Sequence, residues 1–74
     1  MGAHLQRALV LFEQSRLDLA ERELRLELAA EPNAAYPHAL LALCLAGREA
    51  FPEATREARA AIGLSPDLAY AHFV

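Results

Sequence analysis

The stretch PNAAYPH, residues 32–38, returns as PDLAYAH at residues 66–72. Proline, tyrosine and histidine occupy the same places in both stretches, so each lies at one common offset from its counterpart. His4 precedes His38 by that same offset. Self-similarity at a fixed period of this size is the signature of a repeat architecture. The chain is therefore predicted to consist of copies of one structural unit.

The offset from Pro32 to Pro66 also relates other parts of the sequence. Small residues coincide, Ala8 with Ala42 and Ala20 with Ala54, and the pattern Arg-Glu-x-Arg occurs at both 22–25 and 56–59. We predict a single domain over residues 1–74. Its parts are a first repeat over 1–34, a second over 35–68 and the start of a third over 69–74.

Composition and apolar spacing predict that each unit is a pair of helices. The chain is 55% hydrophobic, and much of this share is Ala and Leu, which are good helix formers. In the first unit, Leu5, Ala8, Leu9 and Phe12 recur at helical spacing. Proline at the ends of the units stops a helix, because it cannot donate the helical hydrogen bond. The prediction is an all-α fold of antiparallel helix hairpins, with helices near 3–14, 18–31, 35–47 and 52–63.

The start of the second helix carries a cap signal. Asp18 precedes an apolar run and Glu21 follows three residues later, which approximates a capping box. Asp18 is therefore predicted to cap this helix.

The sequence resembles the tetratricopeptide repeat family over essentially its whole length. That family has a 34-residue helix–turn–helix period with a closing proline, here Pro32 and Pro66. The small residues of the family's helix crossings are matched by the four alanines named above. Several positions depart from the family pattern: His4, His38 and His72 replace an aromatic residue, Leu11 and Leu45 replace a tyrosine, and Glu27 replaces the small residue that is Ala61 in the second unit.

The resemblance implies an α-solenoid, a right-handed superhelix whose concave wall is formed by the leading helix of each hairpin. Such a wall binds a peptide or helix of a partner protein. The alternative for several wall positions, above all Leu9 and Leu43, is that they belong to the core between repeats. The wall positions implied by the resemblance are Leu5, Leu9, Phe12, Tyr36, Ala39, Leu43, Ala46, Tyr70 and Phe73.

The sequence gives little support for nucleic-acid binding, a membrane location or a reactive cysteine. The net charge is −3 and there is no lysine, so the dense basic face that nucleic acid requires is not expected. No apolar stretch reaches the ~20 residues of a membrane span, and no signal peptide precedes the first helix, so a cytoplasmic protein is expected. Cys44 lies alone in an apolar run and is interpreted as a core residue rather than a nucleophile.

Neither a metal nor a catalytic centre is predicted. The three histidines stand on successive leading helices, and a row of this kind does not bring ligands within ~2.1 Å of one zinc ion. The sequence contains no glycine-rich phosphate-binding loop, and no pair of acidic residues lies within an apolar run. We therefore expect no enzyme activity and no cofactor.

The leading hypothesis is a non-catalytic scaffold for protein–protein interaction, with Phe12, Tyr36 and Tyr70 as candidate anchors. The alternative is a structural module that self-associates, or a piece of a longer array whose active module lies elsewhere. Clamping of a carboxylate tail by Lys and Asn is not expected, since lysine is absent and the only asparagine, Asn33, lies in a turn. The C-terminal edge is expected to be covered, because residues 69–74 are largely apolar and nothing in the sequence supplies a polar cover. The cover is either a second copy of the chain, as a homodimer, or further downstream repeats.

Overall fold

The computed structural model describes residues 2–66. Within this range the protein is all-helical, and no residue forms a β-strand. The described residues form four helices, which are α1 (Ala3–Glu13), α2 (Leu17–Ala30), α3 (Ala35–Gly47) and α4 (Phe51–Leu64).

The helix boundaries predicted from the sequence are confirmed to within one residue. Helix α2 ends at Ala30, just before Pro32, as the missing N–H of proline requires. Pro37 lies in the first turn of α3, where its missing N–H costs no hydrogen bond. Pro52 lies in the first turn of α4 in the same way. Proline therefore marks the ends of these helices correctly.

The predicted cap at Asp18 is wrong. Helix α2 begins at Leu17, the N-cap residue is Arg16, and no side chain donates or accepts a capping hydrogen bond there. Asp18 lies inside the first turn instead. Its negative charge is favourable there because it faces the positive end of the helix dipole. The tight turn before α2 sets the start of the helix, and a local cap motif does not reveal that turn.

The turns of hairpins α1–α2 and α3–α4 have the same backbone conformation at positions one predicted repeat period apart. Ser15 has φ of 61° and Glu49 has φ of 63°, a left-handed conformation that is uncommon for residues other than glycine. In each turn the next amide donates back across it, from Arg16 to Leu11 O at 2.9 Å and from Ala50 to Leu45 O at 2.8 Å. Hairpins α1–α2 and α3–α4 are therefore closed by the same type of hydrogen-bonded turn.

Helix α2 packs on both α1 and α3, and α3 packs in turn on α4. Each of these neighbouring pairs runs antiparallel, as its short connection requires. The buried core lies between the helices and is formed by small and medium apolar side chains. Its members are Leu5, Ala8, Ala20, Leu24, Leu40, Leu41, Cys44, Leu45 and Ala54.

The small residues expected at the helix crossings are buried. Ala8 and Ala20 are at most 1% exposed, and their counterparts Ala42 and Ala54 are each 8% exposed. Helix axes approach to ~8–10 Å at such crossings, which leaves room only for small side chains. Glu27 is the exception: it is buried where the second hairpin has Ala61.

The buried Glu27 is accommodated at the start of α1. A methyl group on Gly2 would lie 2.5 Å from Glu27 Oε1, so the absence of a side chain at Gly2 leaves room for the carboxylate. Gly2 is also the N-cap residue of α1. A carboxylate beside a helix N-terminus is stabilised by the helix dipole.

Overpacking tests the close crossing of α1 and α2. Replacing Ala20, which is fully buried, with Leu is expected to lower the free energy of unfolding by about 1–3 kcal/mol, since the added methyl groups have no space. Ala30→Leu at the exposed end of the same helix is the control and is expected to change it little. Urea unfolding followed by circular dichroism measures both. Equal stability of the two variants would contradict the described crossing.

Candidate functional site

Helix α3 exposes an apolar surface that the rest of the fold leaves uncovered. The helix, AYPHALLALCLAG, contains no Asp, Glu, Lys or Arg. Its inner side is buried, whereas Leu43 on the opposite side is 45% exposed. A helix that is apolar all round is ordinarily buried. We call this side the α3 outer surface; by helical spacing it comprises Tyr36, Ala39, Leu43 and Ala46. Leu43 and Ala46 are exposed, whereas Tyr36 and Ala39 are half-buried and Tyr36 also packs against the core.

These four residues are the predicted wall positions of α3. The three predicted on α1 differ from one another: Leu5 is buried in the core, and Leu9 and Phe12 are half-buried and pack against the core. The contribution of Leu5 is therefore packing. Tyr70 and Phe73 lie outside the described residues, as does the expectation that Tyr36 and Tyr70 point the same way.

Two of the three spaced histidines form the same His–Glu hydrogen bond, one in each hairpin. His4 Nδ1 lies 2.6 Å from Glu23 Oε2, and His38 Nδ1 lies 2.7 Å from Glu57 Oε1. His38 lies one predicted repeat period after His4, and Glu57 lies the same distance after Glu23. Each contact joins the leading helix of a hairpin to its second helix. Among residues 2–66, no group of His, Cys, Asp or Glu side chains is arranged to hold a metal ion.

The second nitrogen of His38 joins the two hairpins. His38 Nε2 lies 2.7 Å from the carbonyl oxygen of Pro32, in the connection between α2 and α3. A carbonyl oxygen can only accept, so Nε2 carries the hydrogen of this bond. The side chain of His38 is 15% exposed, against 39% for His4. His38 therefore bridges α4 and the end of the first hairpin from a largely buried position.

A charged network spans three helices at the opposite end of α2. Glu21 pairs with Arg48 at the end of α3 and with Arg25 Nε at 3.0 Å on its own helix. Arg25 also reaches Glu53 of α4, with 3.5 Å between Nη2 and Oε2. The spacing from Glu21 to Arg25 was a readable sequence signal. The contacts of Arg48 and Glu53 join distant parts of the chain and left no such signal.

Cys44 has the environment of a core residue. Its side chain is fully buried, and burial raises the pKa of the Cys44 thiol to about 11, with the nearby Glu21 carboxylate adding to the rise and Arg48 opposing it. The thiolate is the nucleophilic form of cysteine. A thiol that keeps its proton at neutral pH suits packing rather than covalent catalysis.

The free side of α1 is more polar than the corresponding side of α3. A shallow depression of about 540 Å3 lies there. Gln6 and Arg7 in its lining occupy the positions of Leu40 and Leu41, which are buried in α3. The full lining is Ala3, Gln6, Arg7, Val10, Leu11 and Glu23.

Comparisons with protein-family models, with curated proteins and with solved structures found no match. The resemblance to tetratricopeptide repeats therefore stays a prediction from the sequence. Between residues 2 and 66, no helix has both the length and the apolar character that crossing a membrane requires.

The raised pKa of Cys44 predicts a loss of stability in alkali. The folded thiol has a pKa of about 11, against a reference value of 9.0. As the pH rises from 9 toward 11, the unfolded chain loses the proton first. The stability contributed by the neutral thiol is thus complete below pH 9 and is lost as the pH rises from 9 through about 11, a decrease of about 3 kcal/mol.

Urea unfolding at several pH values, compared between the wild type and Cys44→Ala, isolates this effect from the titration of other groups. The variant is expected to show a flatter decline above pH 9. Parallel declines in the two proteins would contradict the assigned environment.

The two histidines supply a matched pair of variants. His38→Gln is expected to lower the free energy of unfolding by about 1–2 kcal/mol, because it removes two hydrogen bonds of a largely buried side chain. His4→Gln removes the equivalent pair at a more exposed site, and a loss of less than ~1 kcal/mol is expected. Thermal unfolding measures both. A larger loss for His4→Gln would show that the bond to Pro32 contributes nothing.

Proposed function

We propose that the chain is a non-catalytic scaffold of the tetratricopeptide type, which binds a peptide or helix of a partner protein on the α3 outer surface. One observation carries the proposal: Leu43 is 45% exposed in the middle of a helix without a charged side chain. Leaving such a surface in water is unfavourable, since burying apolar area stabilises by ~25 cal/mol per Å2. A partner that covers it gains this free energy.

The repeated local structure is consistent with a tandem repeat. The left-handed residue of the turn, the hydrogen bonds that close it and the His–Glu pair all recur at the same offset along the chain. Stacked hairpins of this kind place their leading helices side by side along a solenoid. Leu9 and Phe12 on α1 would then extend the α3 outer surface toward the first hairpin.

The chemistry of the surface favours an apolar partner segment. Tyr36 contributes an aromatic ring with a polar tip, the type of side chain that is enriched at binding hot spots. Ala39 and Ala46 flank Leu43 and leave space for side chains of a partner. Either an amphipathic helix or an extended peptide could use this arrangement. We expect such a scaffold in the cytoplasm.

A second candidate function is a structural module that contacts further helices through α4. The observation that favours it is the exposure of Phe51, which at 59% exceeds that of every other large apolar residue described. This surface is separate from the α3 outer surface, so the two functions are compatible.

Selection from a randomised peptide library tests the proposed binding. Peptides selected on the wild-type protein are expected to lose at least tenfold in affinity for Leu43→Gln, since the substitution places an amide in the centre of the surface. Leu26→Gln is the matched control, because Leu26 is 47% exposed but lies on α2. Isothermal titration calorimetry measures the affinities.

The control is expected to bind the same peptides as the wild type. Equal binding by Leu43→Gln and the wild type would contradict the proposal. So would a selection that yields no binding peptide from either helical or extended libraries.

A further inference from the structure

The side of α2 that packs on α3 has an uncovered counterpart on α4. On α2 this side carries Leu17, Glu21 and Leu24: Leu17 lies against Gly47 of α3, Glu21 pairs with Arg48, and Leu24 is 1% exposed. The corresponding residues of α4 lie one repeat period later. We call them the α4 open side; they are Phe51, Thr55, Ala58 and Ile62.

The α4 open side lies in water although it is mostly apolar. Phe51 is 59% and Ile62 is 46% exposed. On α2 the matching residues are Leu17 and Leu28, and both pack against the core. The difference is that α3 covers α2, whereas no described helix covers this side of α4.

A charged group beside the α4 open side differs from its counterpart on α2. Arg25 of α2 reaches forward to Glu53, in the first turn of α4. The residue equivalent to Arg25 is Arg59, and among residues 2–66 it forms no ion pair within 4.0 Å. The apolar side of α4 and Arg59 thus correspond to residues of α2 that the α3–α4 hairpin covers or pairs with.

We infer that the α4 open side is the docking site of a third helical hairpin. Its leading helix has no charge on the contact side, as in α3, and its second helix carries a carboxylate near its start that pairs with Arg59, as Glu53 pairs with Arg25. The sequence that follows α4 favours an occupant of this kind. Residues 69–74 repeat residues 35–40, with Tyr70 and His72 in the places of Tyr36 and His38.

The first hairpin of a second copy does not satisfy the same requirements. Arg7 of α1 stands where α3 has Leu41, which is 2% exposed. Stacking would therefore take Arg7 out of water together with its long 3.9 Å ion pair to Glu23, and the desolvation of so weak a pair is unfavourable. Leu19 of α2 stands where α4 has Glu53, so Arg59 would gain no carboxylate. Head-to-tail stacking of copies is therefore disfavoured at both contacts. The inference rests on the proposed repeat and is independent of partner binding at the α3 outer surface.

Two extensions of the full chain test the docking site. In one, residues 41–66 are added after Val74, which completes a hairpin of the α3–α4 type. In the other, residues 7–32 are added. This extension has the same length but contains copies of Arg7 and Leu19. The first extension is expected to raise the melting temperature by ~5 °C or more and to reduce binding of a dye that senses apolar surface. The second is expected to do neither.

Substitutions locate the contact. In the chain extended by residues 41–66, Phe51→Ser and Arg59→Gln are expected to lower the melting temperature, whereas in the original chain both change it little. Leu26→Ser, at an exposed site on α2, is the control in both backgrounds. Leu43→Gln is expected to leave the shift unchanged, which separates this test from that of the proposed function.

Two results would overturn the inference. One is an equal melting temperature for the two extended chains. The other is an original, unextended chain that sediments as a dimer and dissociates on Phe51→Ser, because a second copy would then be the occupant.

Discussion

The contact of α2 with α1 on one side and α3 on the other is the interaction on which the rest of the structure depends. A hairpin of two short helices cannot bury both of its apolar sides alone, and isolated helices of fewer than ~12 residues are marginal in water. Ala20 and Leu24 place α2 in the middle of the core. Glu21 and the connection to His38 then fix the second hairpin on the first at opposite ends of α2. Removing α2 from this position would leave α1 and α3 each with an uncovered apolar side.

Much of the fold could be predicted from the sequence because its signals are local and repeated. Proline marked the helix ends, and the predicted repeat period paired Ser15 with Glu49 and His4 with His38, whose turns and hydrogen bonds are alike in the structure. The way in which α2 begins could not be predicted, since it depends on the turn at the left-handed Ser15 and not on a cap by Asp18. The burial of Glu27 was equally hidden, because it depends on the space that Gly2 leaves at another helix.

The candidate site was predictable only in part, for a similar reason. The resemblance to tetratricopeptide repeats selected Leu43 as a wall position, and Leu43 is 45% exposed. The same resemblance selected Leu5, which is buried in the core. Periodicity tells which residues share a side of a helix, but not which side a neighbouring helix covers. The partner contacts of His38, Arg48 and Glu53 likewise depend on how the hairpins meet.

Amide hydrogen exchange followed by NMR tests the central position of α2 most directly. In an array of nearest-neighbour contacts, a helix covered on two sides opens less readily than one covered on a single side. The slowest exchange is therefore expected in the central turns of α2 and α3, around Leu24 and Leu41, with faster exchange in α1 and α4. Slowest exchange in α1 or α4 would show that the α2 contacts do not hold the structure together.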